Sequence, residues 1–197
     1  MRIVITEFIS LDGVVQAPGG PDEDTDGGFV HGGWSHPFFD GVLGSTWDEA
    51  LKAADALLYG RRTWQGMAAA WPERAGDPFA DRMNSIRKYV VSSTLGDDEL
   101  TWDNTTRIRG DEAVARIGEL RATDGGDLLV LGSATLARTL LREGLVDELQ
   151  LMIEPVLLGG GKSIYPDDGG LRTFELVSTV ASEKGVQVST YRPVAAA

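Results

Sequence analysis

The chain has 197 residues, 42% hydrophobic and 24% charged, the proportions of an ordinary soluble globular domain. It has no cysteine, which excludes disulfide frameworks, thiolate metal sites and a cysteine nucleophile. Eighteen basic against 30 acidic residues leave a net charge of −12, a surface that repels nucleic acid and anionic membranes.

The segment Arg2 to Ile9 reads as a first strand, with Glu7 standing where a signal peptide would run apolar. No apolar run approaches the ~20 residues of a membrane helix, so a cytoplasmic protein is expected. Ser10-Leu11-Asp12-Gly13 reads as a turn, and Gln16 to Trp34 as a long loop rich in glycine and proline. A loop of that length is either functional or a disordered insertion. Ser45, with Asp48 three residues on, predicts a helix running to about Asp55. Ala56 to Tyr59 then makes a short buried strand ending at Gly60, and Thr63 to Ala70 a helix. A further helix is expected near Phe79 to Ile86, and a strand at Lys88 to Val91 ending in Ser92-Ser93.

After a polar stretch, Asp111 is expected to cap a helix in which Ala113, Val114, Ile117 and Leu120 recur at helical spacing. Asp127 to Leu131 is a continuous apolar strand, as in a parallel sheet covered on both faces. Gly132-Ser133 opens a helix from Ala134 to Glu143 that Gly144 closes, and Asp147 to Glu154 is another strand. Thr173 to Ala181 and Val186 to Arg192 form an antiparallel hairpin. No linker or repeat divides the chain. The expected fold class is α/β, three layers around a mixed, mostly parallel sheet that ends in the hairpin.

Two junctions place glycine between a buried strand and a helix: Gly60-Arg61-Arg62-Thr63-Trp64 and Gly132-Ser133-Ala134-Thr135-Leu136. A helix start at the C-terminal edge of a parallel sheet offers free N–H groups and partial positive charge, both suited to phosphate. Arg61 and Arg62 add guanidiniums at a helix start, where cations are unfavourable without an anion. By contrast, Gly159-Gly160-Gly161-Lys162-Ser163 fails as a P-loop, because Val156 stands where its first glycine is required. Asp22, Asp24, Asp26 and Gly27 imitate the start of a calcium loop, but its twelfth position is Gly33 rather than glutamate. His31 and His36 have no identifiable third metal ligand. No metal is expected.

The order Gly-Arg-x-Thr-Trp, then Val-Val-Ser-Ser, resembles the cofactor side of dihydrofolate reductases. Ser10 to Gly13, Gly132 to Leu136 and Gly144-Leu145-Val146-Asp147-Glu148-Leu149 resemble the C-terminal reductase domain of the riboflavin pathway. Those families share a fold, and the resemblance, from Arg2 to about Asp168, is closest to stand-alone bacterial deaminase-reductase domain proteins. It implies a dihydrofolate reductase-like fold, NADPH as cofactor and a homodimer. By position, Gly60, Arg61, Arg62 and Thr63 would hold the pyrophosphate and approach the 2′-phosphate, with Ser92 and Ser93 on the adenosine side. Gly132, Ser133, Ala134, Thr135 and Leu136 would cover the pyrophosphate, and Ile9 with Val14 or Val15 would flank the nicotinamide. Arginine suits the 2′-phosphate that NADH lacks.

The resemblance has gaps. The pteridine-binding carboxylate of dihydrofolate reductases falls on Gly44, and the glutamate of riboflavin-pathway reductases on Val130. The expected activity is hydride transfer from NADPH to a small heteroaromatic (pterin- or pyrimidine-like) or carbonyl substrate. The alternative is a non-catalytic NADP(H)-binding module of the same fold. Loop 16–40 would lie over the active site. Trp34, Phe38 and Phe39 there either sandwich the substrate ring or cap the core, and Asp40 could accept a hydrogen bond from a ring N–H. Proton delivery is open among water, Asp12 and Asp40, and Asp12 is equally a turn residue bonding its own backbone.

Overall fold

A computed structural model describes residues 1–194. Its centre is one eight-stranded sheet in the order β4-β3-β2-β5-β1-β6-β8-β7. The strands are β1 (Arg2–Ser10), β2 (Ala54–Gly60), β3 (Arg87–Val91), β4 (Thr105–Ile108), β5 (Asp127–Leu131), β6 (Glu148–Glu154), β7 (Phe174–Ala181) and β8 (Gln187–Pro193). β1 to β6 run parallel, while β8 pairs antiparallel with both β6 and β7. The expected mixed sheet with a terminal hairpin is the fold observed.

Among the described residues five α-helices cover it: α1 (Gly41–Ala53), α2 (Arg61–Ala70), α3 (Pro78–Ser85), α4 (Ala113–Arg121) and α5 (Ala134–Arg142). Strand alternation divides the core into two faces. Ile3, Ile5, Leu58, Leu128 and Val130 meet Ile117 of α4 and Leu140 of α5 on one side. Val4, Leu57, Tyr59 and Leu129 meet Leu51 of α1, Trp64 of α2 and Met83 of α3 on the other. β5 is buried along its whole length because it lies inside the sheet with helices above and below.

Three expectations need correction. α1 begins a turn earlier than Ser45, because Asp40 is the cap: its Oδ1 accepts from the N–H groups of Val42 (3.0 Å) and Leu43 (3.3 Å). The Ser45 hydroxyl instead donates to the Gly41 carbonyl inside the helix. Asp111 does not cap α4. It pairs with Arg109 at 2.9 Å, and a 3₁₀ turn over Gly110–Glu112 moves the cap position to Glu112. The polar stretch before it holds β4, an edge strand with only Ile108 buried, too polar and short for alternation to show.

β3 hides a buried lysine. The Lys88 ammonium donates to the carbonyls of Asn84, Ile86 and Asp103 and lies 4.5 Å from the centre of the Trp102 ring. Burial pulls its pKa down to about 8, while the three carbonyls supply the partners a buried cation needs.

Candidate functional site

Because β1 to β6 are parallel, their C-terminal ends share one edge, and the two glycine junctions lie on it. The β2 and β5 strands are neighbours, so the junctions touch directly: the Gly60 N–H donates to Ser133 Oγ at 2.7 Å. A Cβ at Gly60 would lie 3.2 Å from Ser133, and one at Gly132 would lie 3.2 Å from Thr63. Each glycine thus leaves room for a side chain of the other junction. Gly132 and Ser133 take positive φ of 72° and 70° to make the turn. Neither Gly60 nor Ser133 caps its own helix with a side chain. Two helix starts therefore converge, each presenting N–H groups that the helix cannot satisfy. This is the chemistry that a pyrophosphate answers.

Arg61 bonds Gln65 within α2. Arg62 is ion-paired with Asp26 of the long loop, and Lys162 holds Asp24 at 2.5 Å and Asp26 at 2.8 Å. Asp24 and Asp26, two of the acidic residues that imitate a calcium loop, are thus paired with cations, and no metal-binding cluster occurs among the described residues. Ser92 Oγ accepts from the N–H groups of Thr94 and Leu95 and so closes its own turn. Ser93 is exposed and faces Gly110, where a Cβ would collide with its hydroxyl. Ala134 and Leu136 pack their side chains into the core, while Thr135 is exposed. Ala134 and Leu136 could therefore offer an anion only their backbone.

Ile9 and Val15 share the face of the sheet that packs against α4 and α5, and Val14 is buried against Gly161. Phe8 points the other way, with its ring 5.2 Å from Trp47 and 6.4 Å from Phe39. Trp47 stacks in turn on Phe79 at 5.9 Å. Gly44 lies beside Phe39, where a Cβ would sit 3.9 Å from the ring. An aromatic surface therefore stands where a pteridine-binding acid would be. Phe38 joins the cluster of Leu43, Met152, Val186 and Val188.

Asp12 and Asp40 both carry structural bonds. The Asp12 carboxylate accepts from the Ser10 hydroxyl (2.6 Å) and from the N–H groups of Leu158 and Gly159. Those bonds, led by Ser10, hold its pKa below the ordinary range. The loop that imitates a P-loop thus receives a carboxylate of its own chain. For Asp40, desolvation opposes ionisation but is outweighed by the Ser182 hydroxyl and the N–H groups of Leu43, Val42 and Lys184, so its pKa is also lowered. Asp40 borders an open groove of about 580 Å³ floored by Val42, Val180 and Val188 and rimmed by Glu49 and Glu183.

Loop 16–40 folds on itself. Gly33 N–H donates to the Ala17 carbonyl, Ser35 N–H to the Pro18 carbonyl, and Trp34 Nε1 to the Gln16 carbonyl at 2.7 Å. Trp34 is buried by this packing, His36 bonds the Gly19 carbonyl, and His31 meets the Phe29 ring edge-on. Sequence reasoning missed two buried acids near this edge, Glu7 and Glu154, each with one oxygen lacking a partner. Their signal was a glutamate within or at the end of a strand otherwise apolar.

A mostly parallel sheet of this order, ending in an antiparallel hairpin, defines the dihydrofolate reductase-like class of fold. The family model of the RibD C-terminal domain matches residues 2–188, and the chain belongs to that family. It is 28% identical over 195 residues to the uncharacterized protein YyaP of Bacillus subtilis, covering 96% of this chain and 94% of that one. Its fold matches a Shewanella sp. PV-4 protein named, provisionally, for riboflavin biosynthesis (TM-score 0.69, 19% identity, 98% and 99% of the two chains). It also matches a pyrimidine reductase-like protein of Corynebacterium diphtheriae (0.65, 15%, 99% and 92%). Dihydrofolate reductase of Enterococcus faecalis, complexed with NADP(H), matches at 0.61 with 16% identity over 98% and 96% of the chains.

Proposed function

We propose that the protein is an NADPH-dependent reductase that passes hydride to a small heteroaromatic or carbonyl substrate. The observation that carries this reading is the contact between Gly60 N–H and Ser133 Oγ, which draws two uncapped helix starts together beside Arg61 and Arg62. The residues fit the cofactor: the N–H groups opening α2 and α5 would hold the pyrophosphate, and a guanidinium would meet the 2′-phosphate. NADPH, when bound, supplies the hydride. The chain's part is to orient and to exclude water, with the Phe8, Phe39 and Trp47 rings offering a flat apolar face to an acceptor.

The test is calorimetry with both cofactors. NADPH should bind more tightly than NADH, and Arg61→Ala should narrow the gap. Equal affinities in the wild type would sink the assignment. A second reading, a binding module without turnover, is favoured by the aromatic neighbour at Gly44 and the buried Val130, which leave both related substrates without their recognition acids. Steady NADPH oxidation across a pterin, pyrimidine and quinone panel selects the enzyme. Tight binding with no turnover selects the module.

A further inference from the structure

Glu154 ends β6 with no exposed surface. Ser35 Oγ donates to its Oε1 at 2.6 Å, and its Oε2 has no partner. It shares its face of β6 with Met152, which packs with Leu43 and Val186. A neutral carboxyl tolerates such a site, whereas a carboxylate there would be a buried charge with one hydroxyl donor. Ser35 belongs to the loop, and residues 17–35 form one unit because both ends are tied to each other. The loop's cationic ties, to Lys162 and Arg62, are partly exposed and weak in salt. The Ser35 bond to Glu154 is the buried one.

We propose that Glu154 and Ser35 form a proton-operated latch: the neutral carboxyl holds loop 17–35 against the sheet edge, and loss of its proton to water releases the loop. Titratable groups on the surrounding elements are Asp12 (through Ser10, the in-register neighbour on β1), the buried Glu7 of β1, Glu23 in the loop itself, which burial also raises and whose charge acts on Glu7, His36 beside Ser35, Asp40 at the start of α1, and Glu183 and Lys184 in the β7–β8 turn. The titration of Glu154 is governed by burial, partly opposed by the Ser35 hydroxyl, which places it at about 7. In the open loop the group returns to the ordinary carboxylate value of 4.5. The open form therefore loses its proton first. Opening rises as pH climbs from about 4.5 to about 7 and levels off above, where the closed form has ionised too.

The latch would govern access to the edge read above as the cofactor and substrate site. Its test reads loop opening directly, without ligand, so it can fail while that reading stands. Amide hydrogen exchange of peptides from residues 17–35, divided by intrinsic chemical rates, should show opening increase about seventyfold between pH 5 and pH 8 and then flatten. Glu154→Gln should remove most of the dependence, whereas Glu23→Gln, Glu7→Gln and His36→Asn should keep it. Loss of the dependence in any of those three, or its full survival in Glu154→Gln, would overturn the latch. Should Glu154→Gln not fold, a carbon-13 titration of the Glu154 carboxyl in the wild type decides: a midpoint near neutrality supports the latch, and one in the ordinary carboxylate range refutes it.

Discussion

Asp26 shows how one carboxylate can take a ligand's place. It pairs with Arg62 at the uncapped start of α2 and with Lys162, so the guanidinium already has an anion from its own loop. A phosphate bound there would compete with Asp26. Since an exposed ion pair is worth about 0.2–1 kcal/mol, Asp26→Asn should tighten NADPH about two- to fivefold at low salt. Calorimetry at rising ionic strength should show the gain fade as screening takes over; a gain that persisted in high salt would show a different cause. At this scale the arginines were legible in the sequence, because their residue type and position suffice. The partner on Arg62 was not legible, since Asp26 lies 36 positions away and only the folded loop brings it there.

Among the elements, α1 separates local from tertiary control. Ser45 and Asp48 have the spacing of a helix start, yet the helix begins at Gly41 under the Asp40 cap. Asp40 is also bonded by Ser182 and the Lys184 N–H, and Lys184 Nζ holds the Phe39 carbonyl at 2.9 Å. The hairpin turn thus fixes where α1 starts. Asp40→Ala should cost about 1 kcal/mol or more of unfolding free energy, whereas Ser45→Ala should lie within about 0.5 kcal/mol of the wild type. Urea denaturation of both variants checks the order, and the reverse order would return the cap to Ser45. β5 and α5 needed no such help: a fully apolar run, a glycine turn and helical spacing all agree there.

For the whole molecule, β7 is an edge strand of eight residues with Leu176, Val177 and Val180 exposed. An open edge of that kind is satisfied by pairing or by cover, and a homodimer through the hairpin is our expectation. Light scattering should give about twice the 21.1 kDa of one chain, and Val180→Lys should shift it toward the monomer. A wild type of one-chain mass at micromolar concentration would refute the dimer.

The sequence by itself determined the α/β class, the terminal hairpin and the glycine junctions, because each follows from periodicity or backbone freedom within a few residues. Only the tertiary structure decided that the two junctions meet and that Asp12 fills the loop at Leu158 and Gly159. It alone also decided that Glu154 is buried under Ser35. These depend on strand order and loop path, and a side chain's solvation and partners come from segments about 70 to 150 positions distant, which no local pattern encodes.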